Sequence, residues 1–96
     1  MYIVISKWEP LSGREDDWKS IAESVRTKID DVKGVEFAHR FVNEQGQMVV
    51  AMGYTDEATY NSLVNDPNGE MAKLMADANI ESVARWVSSE RGASFD

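Results

Sequence analysis

Cysteine is absent from this 96-residue chain, so it holds no disulfide framework, thiolate metal site or cysteine nucleophile. Histidine occurs once, at His39, too few for a histidine metal cluster, and metal dependence is not expected. No 18 apolar residues run together, which excludes a membrane-spanning helix. Met1 leads straight into Tyr2-Ile3-Val4-Ile5 with no basic segment, so a cytoplasmic protein is expected. Positive charge is scarce: ten Lys and Arg stand against seventeen Asp and Glu, and a net charge of −7 repels phosphate backbones. Nucleic acid is not an expected partner. No Walker loop, G-x-G-x-x-G, G-x-S-x-G or N-x-S/T sequon occurs, which removes the usual nucleotide, hydrolase and glycosylation readings.

What remains is an ordinary globular composition, 43% apolar and 28% charged, expected to form one domain over residues 1–96. Tyr2 to Trp8, β-branched and aromatic and closed by Glu9-Pro10, reads as a first strand. Ser12-Gly13-Arg14-Glu15 fits a capping box, and Trp18, Ile21, Ala22, Val25 and Ile29 then form one apolar stripe, predicting a helix over about residues 13–31. The period changes to two in Val35–Val42 and again from Gln47 to Tyr54, a β-hairpin turning at Asn43-Glu44-Gln45-Gly46. Thr55 or Asp56 caps a short helix from Glu57 to about Val64. Asp66, as N-cap with Pro67 at the first helical position, restarts a helix carrying Met71, Leu74, Met75 and Ala78. Ile80 to Ser88 is a fourth strand, and the tail from Glu90 to Asp96 has little to pack and is expected to fray.

The order βαββαβ predicts a ferredoxin-like α+β domain, a four-stranded antiparallel sheet with both helices on one face. If the hairpin loop holds an even number of residues, Phe37, His39 and Phe41 share a face with Met48, Val50, Met52 and Tyr54, while Ala38 and Val42 share the other with Val49 and Ala51. Both faces are too apolar for one to remain in water, so another copy of the chain is expected to cover the face without helices.

Three segments carry a resemblance to a known family. They are the opening strand Tyr2-Ile3-Val4-Ile5-Ser6-Lys7-Trp8 with the Pro10 to Gly13 turn, Gly34-Val35-Glu36-Phe37, and Met52-Gly53-Tyr54-Thr55-Asp56-Glu57-Ala58. The chain resembles the dimeric α/β-barrel superfamily and, within it, the antibiotic-biosynthesis-monooxygenase-like domains. That resemblance implies two sheets packed face to face across a twofold axis, with a pocket between sheet and helices in each subunit. It also implies cofactor-independent oxygenation of polycyclic phenols or quinol-like substrates. The haem-degrading members use a histidine on the second helix, and residues 57–78 contain none, so no cofactor is implied. The oxygenases' arginine on the last strand corresponds to Arg85.

The residues themselves leave two readings open at each candidate position. His39, whose ordinary pKa lies near neutrality, is either a pocket base or a hydrogen-bonded structural or interface group. Arg85 either stabilises an anionic or phenolate ligand or forms an ion pair, with Glu36 or Glu81 as partner; Arg40 invites the same two readings. Trp8, Tyr54, Tyr60 and Trp86, with Met48, Met52, Met71 and Met75, either line a pocket for a flat organic molecule or are plain core. Asp66-Pro67-Asn68-Gly69-Glu70 lacks the calcium-loop spacing and is explained by capping. The expected function is therefore that of a small homodimeric ligand-binding or cofactor-independent monooxygenase-like protein acting on an apolar aromatic metabolite. In that reaction His39 takes a phenolic proton and Arg85 stabilises the anion, while Trp8, Tyr54, Tyr60, Trp86 and Met52 shape the pocket. The alternative is a non-enzymatic dimerisation or small-ligand-sensing module.

Overall fold

The computed structural model describes residues 1–95. Four strands, β1 (Tyr2–Pro10), β2 (Val35–Val42), β3 (Met48–Tyr54) and β4 (Ala84–Ala93), form one antiparallel sheet in the order β2-β3-β1-β4. The helices α1 (Glu15–Ile29), α2 (Glu57–Tyr60) and α3 (Glu70–Ala78) complete the ferredoxin-like α+β arrangement read from the sequence. None of these helices is long and apolar enough to cross a membrane.

The apolar stripe of α1 meets the sheet as its spacing predicts. Trp18, Val25 and Ile29 are buried, while Asp16, Lys19, Glu23 and Lys28 are exposed, and Arg26 is exposed at the edge of a cavity between sheet and helices. The capping box does not form. Gly13, at φ +76°, and the turn closed by Arg14 N–H on Leu11 O at 2.9 Å delay the helix, so Arg14 becomes the N-cap and Ser12 lies outside. Asp56 does cap α2, accepting Thr59 N–H at 2.7 Å, a bond that holds its carboxyl below the usual range.

Beyond α2 the chain continues as a π-helical turn, Asn61–Asn65, closed by Asp66 N–H on Asn61 O at 3.0 Å. Asp66 is not the cap of α3. It organises a tight turn instead, accepting Asn68 N–H on its side chain at 2.9 Å and Gly69 N–H on its carbonyl at 2.8 Å, and α3 starts after Gly69. Asn79, at φ +52°, ends that helix in the left-handed conformation.

Three strand expectations are corrected. The β2–β3 loop is odd: Asn43 to Gln47 separate the paired residues Val42 and Met48, with Asn43 Oδ1 accepting the N–H groups of Gln45 and Gln47. A one-residue change flips every side chain. Ala38, Arg40 and Val42 therefore share a face with Met48, Val50 and Met52, whereas Phe37, His39 and Phe41 share the other with Val49 and Ala51. Secondly, Ile80–Ser82 is a 3₁₀ turn, and β4 begins only at Ala84. Thirdly, Glu90 to Ala93 are not frayed: β4 runs on along β1, with Val4 opposite Arg91 and Tyr2 opposite Ala93. Asp96, also part of the expected frayed tail, lies outside the described residues.

The helices cover the face bearing Val4, Met52 and Tyr54, which joins Val25, Ile29, Tyr60 and Met71 in one buried cluster. A second cluster of Trp18, Met48, Ile80, Val83 and Ala84 fills the far end. The outer face carries Ile3, Ile5, Phe37, Phe41, Val49 and Ala51, and Phe41 is 56% exposed.

Candidate functional site

Between the helices and the inner face of the sheet the two clusters leave a cavity of about 490 Å³. This is the size range of small-molecule pockets. Its wall is mostly apolar: Val4, Val50, Met52 and Trp8 from the sheet, Ile21, Ala22 and Val25 from α1, and Met71 and Met75 from α3. The π-helical turn adds Val64. All five residues read from the sequence as pocket-forming, Trp8, Met52, Tyr54, Tyr60 and Trp86, border this one space.

Aromatic rings order the two ends of the cavity. At one end Tyr60 packs between Tyr2 and Tyr54, with ring centroids 5.1 and 5.2 Å away. Burial pushes the Tyr54 phenol up to about 12, so it stays protonated at neutral pH. At the other end Trp8 lies 6.0 Å from Trp18, and Trp86, which is 54% exposed, stands at the opening.

A β-bulge sets the polar groups between these ends. Lys7 pairs with Ser88 but Trp8 with Trp86, so Val87 is the extra residue, and the inward positions of β4 change from even to odd numbers. Trp86 and Ser89 therefore face the same way. Trp86 Nε1 donates to Ser89 Oγ at 2.9 Å, and Ser89 Oγ donates to Ser6 Oγ at 3.1 Å. The same shift turns Arg91 inward, where its guanidinium carbon lies 6.0 Å from the centre of the Tyr60 ring. Arg40 faces in from β2 and donates to Glu23 Oε2 of α1 at 2.6 Å.

His39 and Arg85 are not brought together. They lie on the opposite edge strands of the sheet, β2 and β4. His39 is among the residues that border the cavity, but strand alternation turns its side chain to the outer face, where the ring stacks on Phe37 at 5.5 Å. Arg85 donates through Nη2 to Glu9 Oε2 at 2.8 Å and holds the Glu9 carboxyl below its usual range, with help from the Gln47 amide. The ion-pair reading of Arg85 thus has a partner, Glu9, in place of Glu36 or Glu81. Sequence reasoning missed Ser6, Ser89, Arg26 and Arg91 as wall residues; without the bulge, no periodicity places the two β4 residues inward.

Solved structures superpose on this chain over nearly its whole length. The chain has the fold of the antibiotic biosynthesis monooxygenases. Rv0793 from Mycobacterium tuberculosis superposes with a TM-score of 0.78 at 15% identity, over 99% of this chain and 95% of its own. SnoaB, a cofactor-independent oxygenase from Streptomyces nogalater, gives 0.75 at 7% identity, over 99% and 93%. MupZ from Pseudomonas fluorescens gives 0.72 at 20% identity, over 94% and 69%. No family model matches the sequence, and no curated protein matches it.

Proposed function

We propose that this protein binds a flat, apolar aromatic molecule in the cavity between sheet and helices, as a homodimer joined through its outer sheet faces, and oxygenates it without a cofactor. The observation that carries this reading is the cavity itself: about 490 Å³, walled by Trp8, Met52, Tyr54, Tyr60 and Trp86 and opening beside an exposed indole. Its likeness in fold to SnoaB supports the oxygenase chemistry. The apolar outer face, with Phe41 more than half exposed, supports the dimer.

In such a reaction the substrate supplies the electrons. A ring CH₂ that becomes C=O takes one atom of O₂, and its two hydrogens leave with the other atom as water. The four electrons lost by carbon reduce O₂ fully. The protein's part is to orient the ring between the aromatic ends and to stabilise the anion that forms when the substrate loses its proton, a role suited to the inward-facing arginines.

A second reading, a non-enzymatic ligand-sensing module, is favoured by one feature. Apart from His39, whose side chain lies on the outer face, the ionisable residues that border the cavity are arginines and tyrosines, and Tyr54 is held protonated, so proton removal falls to the substrate's own acidity or to water. Titration with a polycyclic phenol, followed by tryptophan quenching and by an oxygen electrode, separates the two. Saturable quenching with oxygen uptake supports the oxygenase, and quenching alone supports the sensor. No quenching overturns the cavity reading. Light scattering near twice 10.8 kDa is expected, and a monomer at every concentration would overturn the dimer.

A further inference from the structure

We propose that in the homodimer His39 of each protomer faces the partner's Glu90, and that protonation of His39 tightens the assembly as pH falls from 8 to 6. The proposal rests on the homodimer reading above and adds the pair of residues that holds the outer faces in register. It starts from the strand pairing. His39 lies opposite Ala51, Ala51 opposite Ile5, and Ile5 opposite Glu90, so these four side chains form one row across the outer face. The histidine is on one edge strand of the sheet and the carboxylate on the other, and neither has an ion-pair partner among the described residues.

Two such faces can stack about a twofold axis in two ways that keep the strands aligned. An axis across the strands sets each edge strand over its own copy, so that the partner's Glu90 lies over Glu90, like charge against like. An axis along the strands sets β2 over β4 of the partner and keeps each row over its own copy in reverse order. His39 then meets the partner's Glu90. In the same arrangement the small Ala51 meets the partner's Ile5, and Phe41 meets the partner's Ser88. Charge is set against opposite charge and large side chains against small ones, and a histidine and a glutamate together span the ~10 Å between stacked sheets.

Within its own protomer His39 is flanked on β2 by Phe37 and Phe41 and faces Ala51 on β3. The charged side chains on the outer face of β1 and β4 are Lys7, Glu9, Arg85 and Glu90, and Glu9 and Arg85 are tied to each other at 2.8 Å. Across the interface His39 meets the partner's Glu90 directly, and the partner's Lys7 lies one row away, over Val49. The amino terminus lies beyond the row of Ile3, where Ser94 N–H donates to Met1 O at 2.8 Å. A carboxylate facing an imidazole favours its charged form, so the dimer takes up protons that the separate protomers do not hold. The gain in association is complete below about 6.5, the ordinary value for histidine, and is lost as pH rises beyond it. His39 is the chain's single histidine, so between pH 6 and 8 it is the one side chain with an ordinary pKa in range; the amino terminus also titrates there and is common to every variant.

The test is the dimer dissociation constant, measured by sedimentation equilibrium at pH 6 and pH 8 on the full chain and on three variants. His39 and Glu90 are both exposed in the protomer, so the variants should fold, and circular dichroism checks that they do. We expect the parent to associate about tenfold more tightly at pH 6, the combined worth of two exposed ion pairs. His39→Gln and Glu90→Gln should each remove the difference between the two pH values. His39→Lys, which carries its charge throughout, should associate at both pH values as tightly as the parent does at pH 6. Equal association of the parent at both would overturn this inference and leave the dimer reading standing. A Glu90→Gln variant that keeps the tenfold difference would overturn the pairing, because the change in net charge alone would then account for it. A His39→Gln variant that keeps it would move the effect to the amino terminus and overturn the inference as well. A monomer at both pH values would overturn the dimer reading and this inference with it.

Discussion

Trp86 and Ser89 are three residues apart on one strand and yet hydrogen-bonded on the same face, Nε1 to Oγ at 2.9 Å. In a regular strand, residues three apart point to opposite faces. The bulge at Val87 removes that opposition and gives the exposed indole at the cavity opening a fixed orientation. Trp86→Phe keeps an aromatic ring but loses the donor, so the ring is no longer anchored. Affinity for a flat aromatic probe should fall by roughly two- to tenfold, the worth of one hydrogen bond. Calorimetric titration of the variant checks this, and unchanged affinity would show that the anchor has no role in binding.

How much of this was legible in the sequence depends on the element. The stripe Trp18, Val25 and Ile29 announced α1 because helical burial has a period that side-chain type reveals. The aromatics that border the cavity are large apolar groups on elements whose type side-chain pattern reveals. That pattern does not reveal face assignment, which turns on single-residue counts. An odd loop at Asn43–Gln47 put His39 on the outer face, and one bulge put Arg91 on the inner. Arg91 also lay in a segment read as tail, since Glu90-Arg91-Gly92 has no apolar alternation; its pairing with β1 supplies the order that its composition does not.

The outward placement of His39 and Arg85 predicts that neither is needed to fill the cavity. A His39→Ala, Arg85→Ala double variant should bind a polycyclic phenol within a factor of about two of the unmodified protein, as expected for remote surface changes. Its oxygen uptake, where the parent shows any, should persist. Loss of binding in a folded double variant would place one of these side chains at the ligand. If the outer faces pair as proposed, the same variant should instead shift the midpoint of a dilution series followed by light scattering.

Tyr54 gives a pH dependence with a definite sign. Burial raises its phenol to about 12 in the folded protein, above the value near 10 of an unfolded tyrosine. Between those values the folded state holds more protons than the unfolded state, so stability falls as pH rises. Its contribution is intact below about pH 10 and is lost on the way to about 12. Tyr54→Phe removes this titration. Thermal melts of both proteins should run in parallel up to about pH 10 and then diverge, with the parent falling faster; parallel curves throughout would show that the Tyr54 phenol titrates normally.

Gly69 is fixed by close approach. Its φ of −65° is open to any residue, but a Cβ there would run into the main-chain carbonyl oxygens of Ser62 and Leu63. These belong to the π-helical turn, whose wider path brings its carbonyls against the start of α3. A flexible side chain could move aside; backbone oxygens held by the turn cannot. Gly69→Ala should therefore destabilise the fold by about 3 kcal/mol, the upper end for overpacking. Because the turn carries Val64 and α3 carries Met71 and Met75, the cavity wall shifts with it, and probe affinity should fall in parallel. Gly92→Ala, where a Cβ meets nothing within 4 Å, is the matched control and should change neither the urea midpoint nor binding. Equal midpoints for the two variants would show that α3 slides away from the turn without cost.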